Sequence, residues 1–167
     1  MKSFLISLVT AAILLSAPAF AQTAVEPAAN PDKLFTSPDP QLNANKQVVY
    51  RIIRDLLEAN HWDQAPEYIA EDYIQHNPNA ADGLKAVVDF FTQVLKVKPT
   101  PIPETISFPV VEVMAEGDLV TVISRRKAVG PNGQYTTAWF DTWRIRNGKA
   151  VEHWDPALMN EAPDLSK

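Results

Sequence analysis

From Asn43 onward the chain runs through two different hydrophobic periods. Val48, Val49, Ile52, Ile53, Leu56 and Leu57 recur at helical spacing, with Lys46, Arg51, Arg54, Asp55 and Glu58 between them. A first helix with one apolar face follows from that pattern, and Asn43 or Asn45 can cap its start. A second, shorter helix is expected over about 62–70. The segment Tyr73-Ile74-Gln75-His76-Asn77-Pro78 is not helical, because Pro78 pushes Asn77 to extended geometry. Asp82 then stands where it can cap a third helix carrying Leu84, Val87, Val88, Phe91, Val94 and Leu95, which Pro99, Pro101 and Pro103 end.

After the prolines the period falls to two. Four strands are expected, at about 104–115, 119–129, 134–146 and 149–155. Glu116-Gly117-Asp118, Gly130-Pro131-Asn132-Gly133 and Asn147-Gly148 separate them, the last being a two-residue type I′ hairpin signal. Helices followed by an antiparallel meander predict an α+β fold, three helices packed on one face of a curved sheet around a deep pocket. The other sheet face carries Ala138, Phe140, Ala150 and Trp154, and a homodimer through this sheet back would bury that patch.

Ahead of residue 43 neither period holds. Lys2, an apolar run from Phe4 to Leu15 and the small-x-small exit Ala19-Phe20-Ala21 read as a cleavable secretory signal peptide over 1–21, making the protein periplasmic or secreted. The apolar run falls short of the roughly 20 residues that span a bilayer. Residues 22–42, with Pro27, Pro31, Pro38 and Pro40, form a Pro-rich linker or arm, either a loose leader or a segment docked through Leu34 and Phe35. Residues 43–156 make the domain and 157–167 a short tail.

Composition narrows the chemistry. The chain has no cysteine, so an exported form rests on its apolar core rather than on disulfides. A net charge of -5 without a Lys/Arg run argues against nucleic acid and anionic membranes as partners. None of the 5 glycines builds a phosphate loop, so no cofactor is expected. No HxH, HxxxH or HExxH spacing marks a metal site, and Ser107 and Ser124 lack a G-x-S-x-G context.

Of the three histidines, His61 beside Trp62 reads as structural, while His76 and His153 sit in aromatic and polar clusters with Tyr73, Asn77, Glu152, Trp154 and Asp155. Alternation sets Thr137, Trp139, Asp141, Trp143 and Ile145 on one strand face, so two indoles flank one carboxylate. If that face lines the pocket, burial disfavours the charged carboxylate and tunes it for proton transfer. The alternatives are an ion pair with Arg125 or Arg144, or exposure to solvent. His153 shares a face with Val151 and Asp155, opposite Glu152 and Trp154, and periodicity leaves open which face points inward. The candidate catalytic set is Asp141, His76 and His153. Tyr73, Asn77, Trp139, Trp143 and Trp154 are the candidates for holding a small apolar or aromatic molecule.

Tyr73-Ile74-Gln75-His76-Asn77-Pro78 with Ala81-Asp82-Gly83 and Phe90-Phe91, then Phe140-Asp141-Thr142-Trp143-Arg144 and Asn147 to Asp155, together resemble the SnoaL-like polyketide cyclases. The narrower likeness is to members described as aldol-condensation proteins, within the nuclear transport factor 2-like superfamily of α+β cones. The resemblance implies cofactor-free chemistry, with Asp141 at the position of the family's acid/base aspartate and His76 and His153 at its recurrent histidines. Relatives often carry a further histidine on the preceding strand, where this chain has Val122-Ile123-Ser124, with Ile123 at the expected place. The implied activity is a lyase or isomerase of the aldol or cyclase type. A non-catalytic binding module and a dimeric interaction domain are the other readings.

Overall fold

The computed structural model describes residues 23–131 and 133–161. The expected signal peptide and the end of the tail lie outside them. Helix α1 spans Pro40–Arg51 and begins ahead of the expected start, because Asp39 caps it by accepting the N–H groups of Gln41 and Leu42. Asn43 and Asn45 therefore lie inside the helix. Asn45 is buried and donates from Nδ2 to the carbonyl of Gly117. The helix continues through Ile52–Glu58 in wider π-helical turns and buries Val49, Ile52, Ile53 and Leu56.

The second helix, α2, is only Ala65–Tyr68. The chain then becomes a strand, β1, Ile69–Gln75, where helix and non-helical loop were expected. Its backbone partners come from the end of the chain: Ile74 and Gln75 align in parallel with Glu152 and His153. Parallel pairing across such a separation overrides local propensity. Helix α3, Leu84–Asp89, extends as π-helical turns over Phe90–Val94. It is entered through Gly83, whose φ of 94° suits glycine, and Asp82 does not cap it. The Asp82 carboxylate instead accepts the N–H of Gln75.

Strands β2 (Val110–Glu116), β3 (Leu119–Gly130), β4 (Gly133–Arg146) and β5 (Lys149–Trp154) complete a five-stranded sheet in the order β1-β5-β4-β3-β2. The sheet is mixed rather than wholly antiparallel, since β1 runs parallel to β5. It stays open, with β1 and β2 as its edges. Strand β2 starts later than the alternation suggests, because the buried Glu58 carboxylate captures the N–H and hydroxyl of Ser107. Asn147 and Gly148 both have positive φ, 51° and 74°, as a type I′ turn requires.

The arm is docked on the domain. Phe35 is fully buried beside Tyr50, Lys46 Nζ donates to the carbonyls of Leu34 and Val113, and Ala28 donates to Val110. On the outer sheet face Phe140, Ile74 and Met114 are exposed. Ala150 is not among them. An irregularity between Arg144 and Ile145 pairs Ala150 with Ile145 and turns it into the core.

Candidate functional site

Between the inner face of the sheet and the helices lies a cavity of about 440 Å³, the size that suits a small organic ligand. Its helical wall is aromatic: Trp62 and Phe91 stack with ring centroids 3.8 Å apart, and Phe90 joins them. The indole N–H of Trp62 is buried with no acceptor among the described residues.

The polar groups come from the neighbouring strands β4, β5 and β1. Alternation along β4 does turn Trp139, Asp141 and Trp143 to the cavity. Strand β5 sets His153 directly opposite Trp143, and β1 adds Tyr73 and Gln75. His153 faces inward with Asp155, which answers the question left open by its periodicity. One oxygen of Asp141, Oδ1, is 3.2 Å from His153 Nε2 and accepts the Trp139 indole N–H, also at 3.2 Å. The other, Oδ2, accepts no hydrogen bond among the described residues. The expected ion pairs of Asp141 with Arg125 or Arg144 do not form: Arg125 lies near Glu26, and Arg144 binds Asp118 and Glu152.

The ring of His153 is fixed from behind. Its Nδ1 is 2.9 Å from Gln75 Oε1. The same oxygen accepts the N–H of Asn77 at 3.0 Å, so it is the carbonyl end of the amide and Nδ1 is the donor. Asn77 in turn donates from Nδ2 to Asp155 Oδ2 at 2.7 Å. Tyr73 is buried, and the Trp143 indole, a donor only, lies beside its hydroxyl. Burial pushes the ionisation of Tyr73 far up, so the hydroxyl keeps its own proton.

Two expected site residues fall elsewhere. His76 and Trp154 lie on the outer face of the sheet, because each directly follows an inward-pointing residue, Gln75 and His153. There His76 Nε2 meets Glu152 Oε1 at 2.9 Å, and the His76 ring stacks on Trp154 at 5.2 Å. The bonds from His76 and from Arg144 hold the Glu152 carboxyl below its usual range. Ile123 is likewise misplaced by the sequence reading. Val122 is the residue opposite Asp141, while Ile123 pairs with Phe140, which faces outward. His61 is a loop tie, its Nε2 2.8 Å from the carbonyl of Thr100.

Gln75 and Arg126 line the cavity without having been singled out, and Asp155 and Ser124 line it too. Gln75 stands two residues from Tyr73, so a period-two reading of that segment would have found it. Asp141, His153 and Asp155 offer ligand atoms within 4.8 Å of one another, a set that can hold a divalent cation.

An open sheet folded over helices, with an aromatic cavity and a carboxylate–imidazole pair on its inner strands, defines an α+β cone. The chain belongs to the SnoaL-like domain family, whose model matches residues 49–153. Solved structures share the fold at low identity. A polyketide cyclase candidate from Bacillus cereus matches at 16% identity and a TM-score of 0.50, over 70% of this chain and 79% of its own. A SnoaL-like polyketide cyclase candidate from Jannaschia matches at 19% and 0.49, over 72% and 91%. An NTF2-like protein of unknown function from Mesorhizobium loti matches at 20% and 0.49, over 72% and 95%. A search of curated proteins finds no match.

Proposed function

We propose that the chain is a cofactor-independent lyase or isomerase that abstracts a proton next to the carbonyl of a small, largely apolar substrate. The observation that carries this reading is the asymmetric Asp141 carboxylate in the cavity lining, with Oδ1 tied by His153 and Trp139 and Oδ2 accepting no hydrogen bond among the described residues.

The chemistry follows from those positions. Oδ2 takes the proton as the C–H bond breaks, and the electron pair moves into the carbonyl to give an enolate. A donor that is already in position when charge develops lowers that barrier most. Tyr73 supplies it, since its hydroxyl stays protonated beside the Trp143 indole in the cavity lining. His153 positions Asp141 rather than touching substrate, and Gln75 fixes the imidazole. The proton returns to carbon in an isomerisation, or the enolate adds to a second carbonyl in an aldol closure. The aromatic walls exclude water and hold the apolar body of the substrate.

The proposal includes export. The basic, apolar and small-residue order of residues 1–21 supports action in the periplasm or outside the cell, on a molecule met there. N-terminal sequencing of protein from the envelope fraction should begin at Gln22, and an intact Met1 would sink this part.

The reaction is tested by deuterium exchange into the methylene beside the carbonyl of butyrophenone in D2O, followed by NMR. Wild type accelerates exchange over buffer, and Asp141→Asn loses about a hundredfold or more of that acceleration. Binding of butyrophenone without any acceleration by wild type would overturn the enzymatic reading in favour of a carrier.

A further inference from the structure

Arg126 extends from β3 on the inner face, where it pairs in register with Thr137. Its guanidinium lies over the Trp139 ring, 4.2 Å from the centroid, and its Nη1 is 2.7 Å from Glu161 Oε1. Trp139 is the same side chain whose indole N–H binds Asp141. A cation and the proposed base therefore stand side by side across one indole, both lining one cavity.

The carboxylate on Arg126 comes from the segment that follows β5. That segment crosses the cavity rim, and Ala157 and Glu161 contribute to the lining. It is held by a few polar ties. Asn79 donates to the carbonyl of Leu158 and accepts the N–H of Asn160, and Glu161 accepts the N–H of Leu158. Leu158 and Met159 are exposed, so little apolar burial holds the segment down.

We infer that Arg126 is the anchor for an anionic group of the substrate, that Glu161 occupies this anchor in the empty protein, and that the substrate is a carbonyl compound bearing a carboxylate. The inference rests on the proposed proton abstraction and adds the substrate class. A guanidinium meets a carboxylate through paired N–H donors, and a partly covered pair of this kind discriminates by charge. With the carboxylate on Arg126, the carbon between it and the ketone reaches Oδ2 of Asp141 across the width of Trp139. The aryl or alkyl body then lies on Phe90, Phe91 and Trp62. Glu161 yields its place when the substrate anion enters.

The test compares β-benzoylpropionate with butyrophenone, which share an aryl ketone and differ by a carboxylate in place of a methyl group. Calorimetry on the full chain reads the ratio of their affinities. Wild type prefers the anion by about tenfold. Glu161→Gln raises that ratio, Arg126→Gln brings it to about one, and Arg126→Lys keeps part of it. Equal affinities in both wild type and Glu161→Gln overturn the inference, as does a preference that survives in folded Arg126→Gln. Should Arg126→Gln fail to fold, the ratio in Glu161→Gln still decides. Calorimetry needs no turnover, so a lost preference sinks the anchor while butyrophenone exchange still tests Asp141. A kept preference with no exchange sinks the reaction alone.

Discussion

Tyr73→Phe separates two jobs that one hydroxyl performs. In the folded protein the hydroxyl lies beside the Trp143 indole N–H, and both rings are only 3% exposed. Removing it hardly changes the packed volume, so no cavity forms. It does take a polar neighbour away from a buried indole N–H, which costs about 1–3 kcal/mol. At roughly 2–4 °C of Tm per kcal/mol for a chain of this length, the melting point should fall by roughly 2–12 °C. The second job is catalytic. Loss of one preorganised donor to a developing oxyanion lowers the rate by about 10²–10³. The two effects are similar in free energy but appear in different assays. Melting is followed by circular dichroism, and butyrophenone exchange is measured well below the new Tm. Butyrophenone affinity should change little, because the donor matters most once charge has moved to the oxygen. An exchange rate within about threefold of wild type, alongside the expected fall in Tm, would refute Tyr73 as the oxyanion donor and leave it as a structural partner of Trp143.

Phe35→Ala should destabilise by about 3–5 kcal/mol, because the ring is fully buried in the core and the arm loses its anchor; chemical denaturation reads it, and a change below about 1 kcal/mol would mean the arm is dispensable. Glu152 is held below its ordinary value of 4.5 in the folded state, first by His76 and then by Arg144, so its contribution is present above 4.5 and is lost as pH falls through the lower folded value. Glu152→Gln should therefore flatten the acid limb of the stability curve, seen in denaturation midpoints measured from roughly pH 5 downward; parallel curves would contradict the assignment. Phe140, Ile74 and Met114 leave an apolar outer face, so the chain should sediment as a dimer and Phe140→Asp as a monomer; a monomeric wild type at micromolar concentration would rule this interface out.

The elements that the sequence revealed are those whose signals are local. Strands β3, β4 and β5 carry clean alternation, and Asn147-Gly148 sets the last hairpin, so the face shared by Trp139, Asp141 and Trp143 was readable from spacing alone. Strand β1 was not, because its partner lies about 80 residues away and its pairing is parallel. Missing that strand removed the one fact that assigns inward and outward positions around residue 75. His76 was consequently grouped with Asp141, although Gln75 is the residue that reaches His153. Ala150 failed for a related reason: the irregularity beside Ile145 breaks the strict period of two that its outward placement assumed. Of the two expectations for the arm, the structure has it docked with Phe35 buried, a choice that a proline-rich composition leaves undecided.

The cluster of Asp141, His153 and Asp155 admits two chemistries, and its hydrogen bonds favour one of them. A divalent cation needs lone pairs that converge on a point. Here His153 Nδ1 is committed as a donor to Gln75, and Nε2 is directed at Asp141 Oδ1 rather than at the open volume. Asp155 is engaged on both oxygens, Oδ2 by Asn77 and Oδ1 by the N–H of Ala157. For a metal to bind, His153 would have to turn its Nε2 lone pair from Asp141, and Asn77 would lose its acceptor. The network instead suits a proton held between imidazole and carboxylate, leaving Oδ2 to act. Exchange activity should thus survive extensive treatment with EDTA, and added Zn²⁺ should inhibit by competing for Asp141. The inhibition should weaken in Asp155→Asn, which lacks one charged ligand. Activity lost to EDTA and restored by a metal would reverse the assignment, making Asp141 a ligand and the cation the group that polarises the carbonyl.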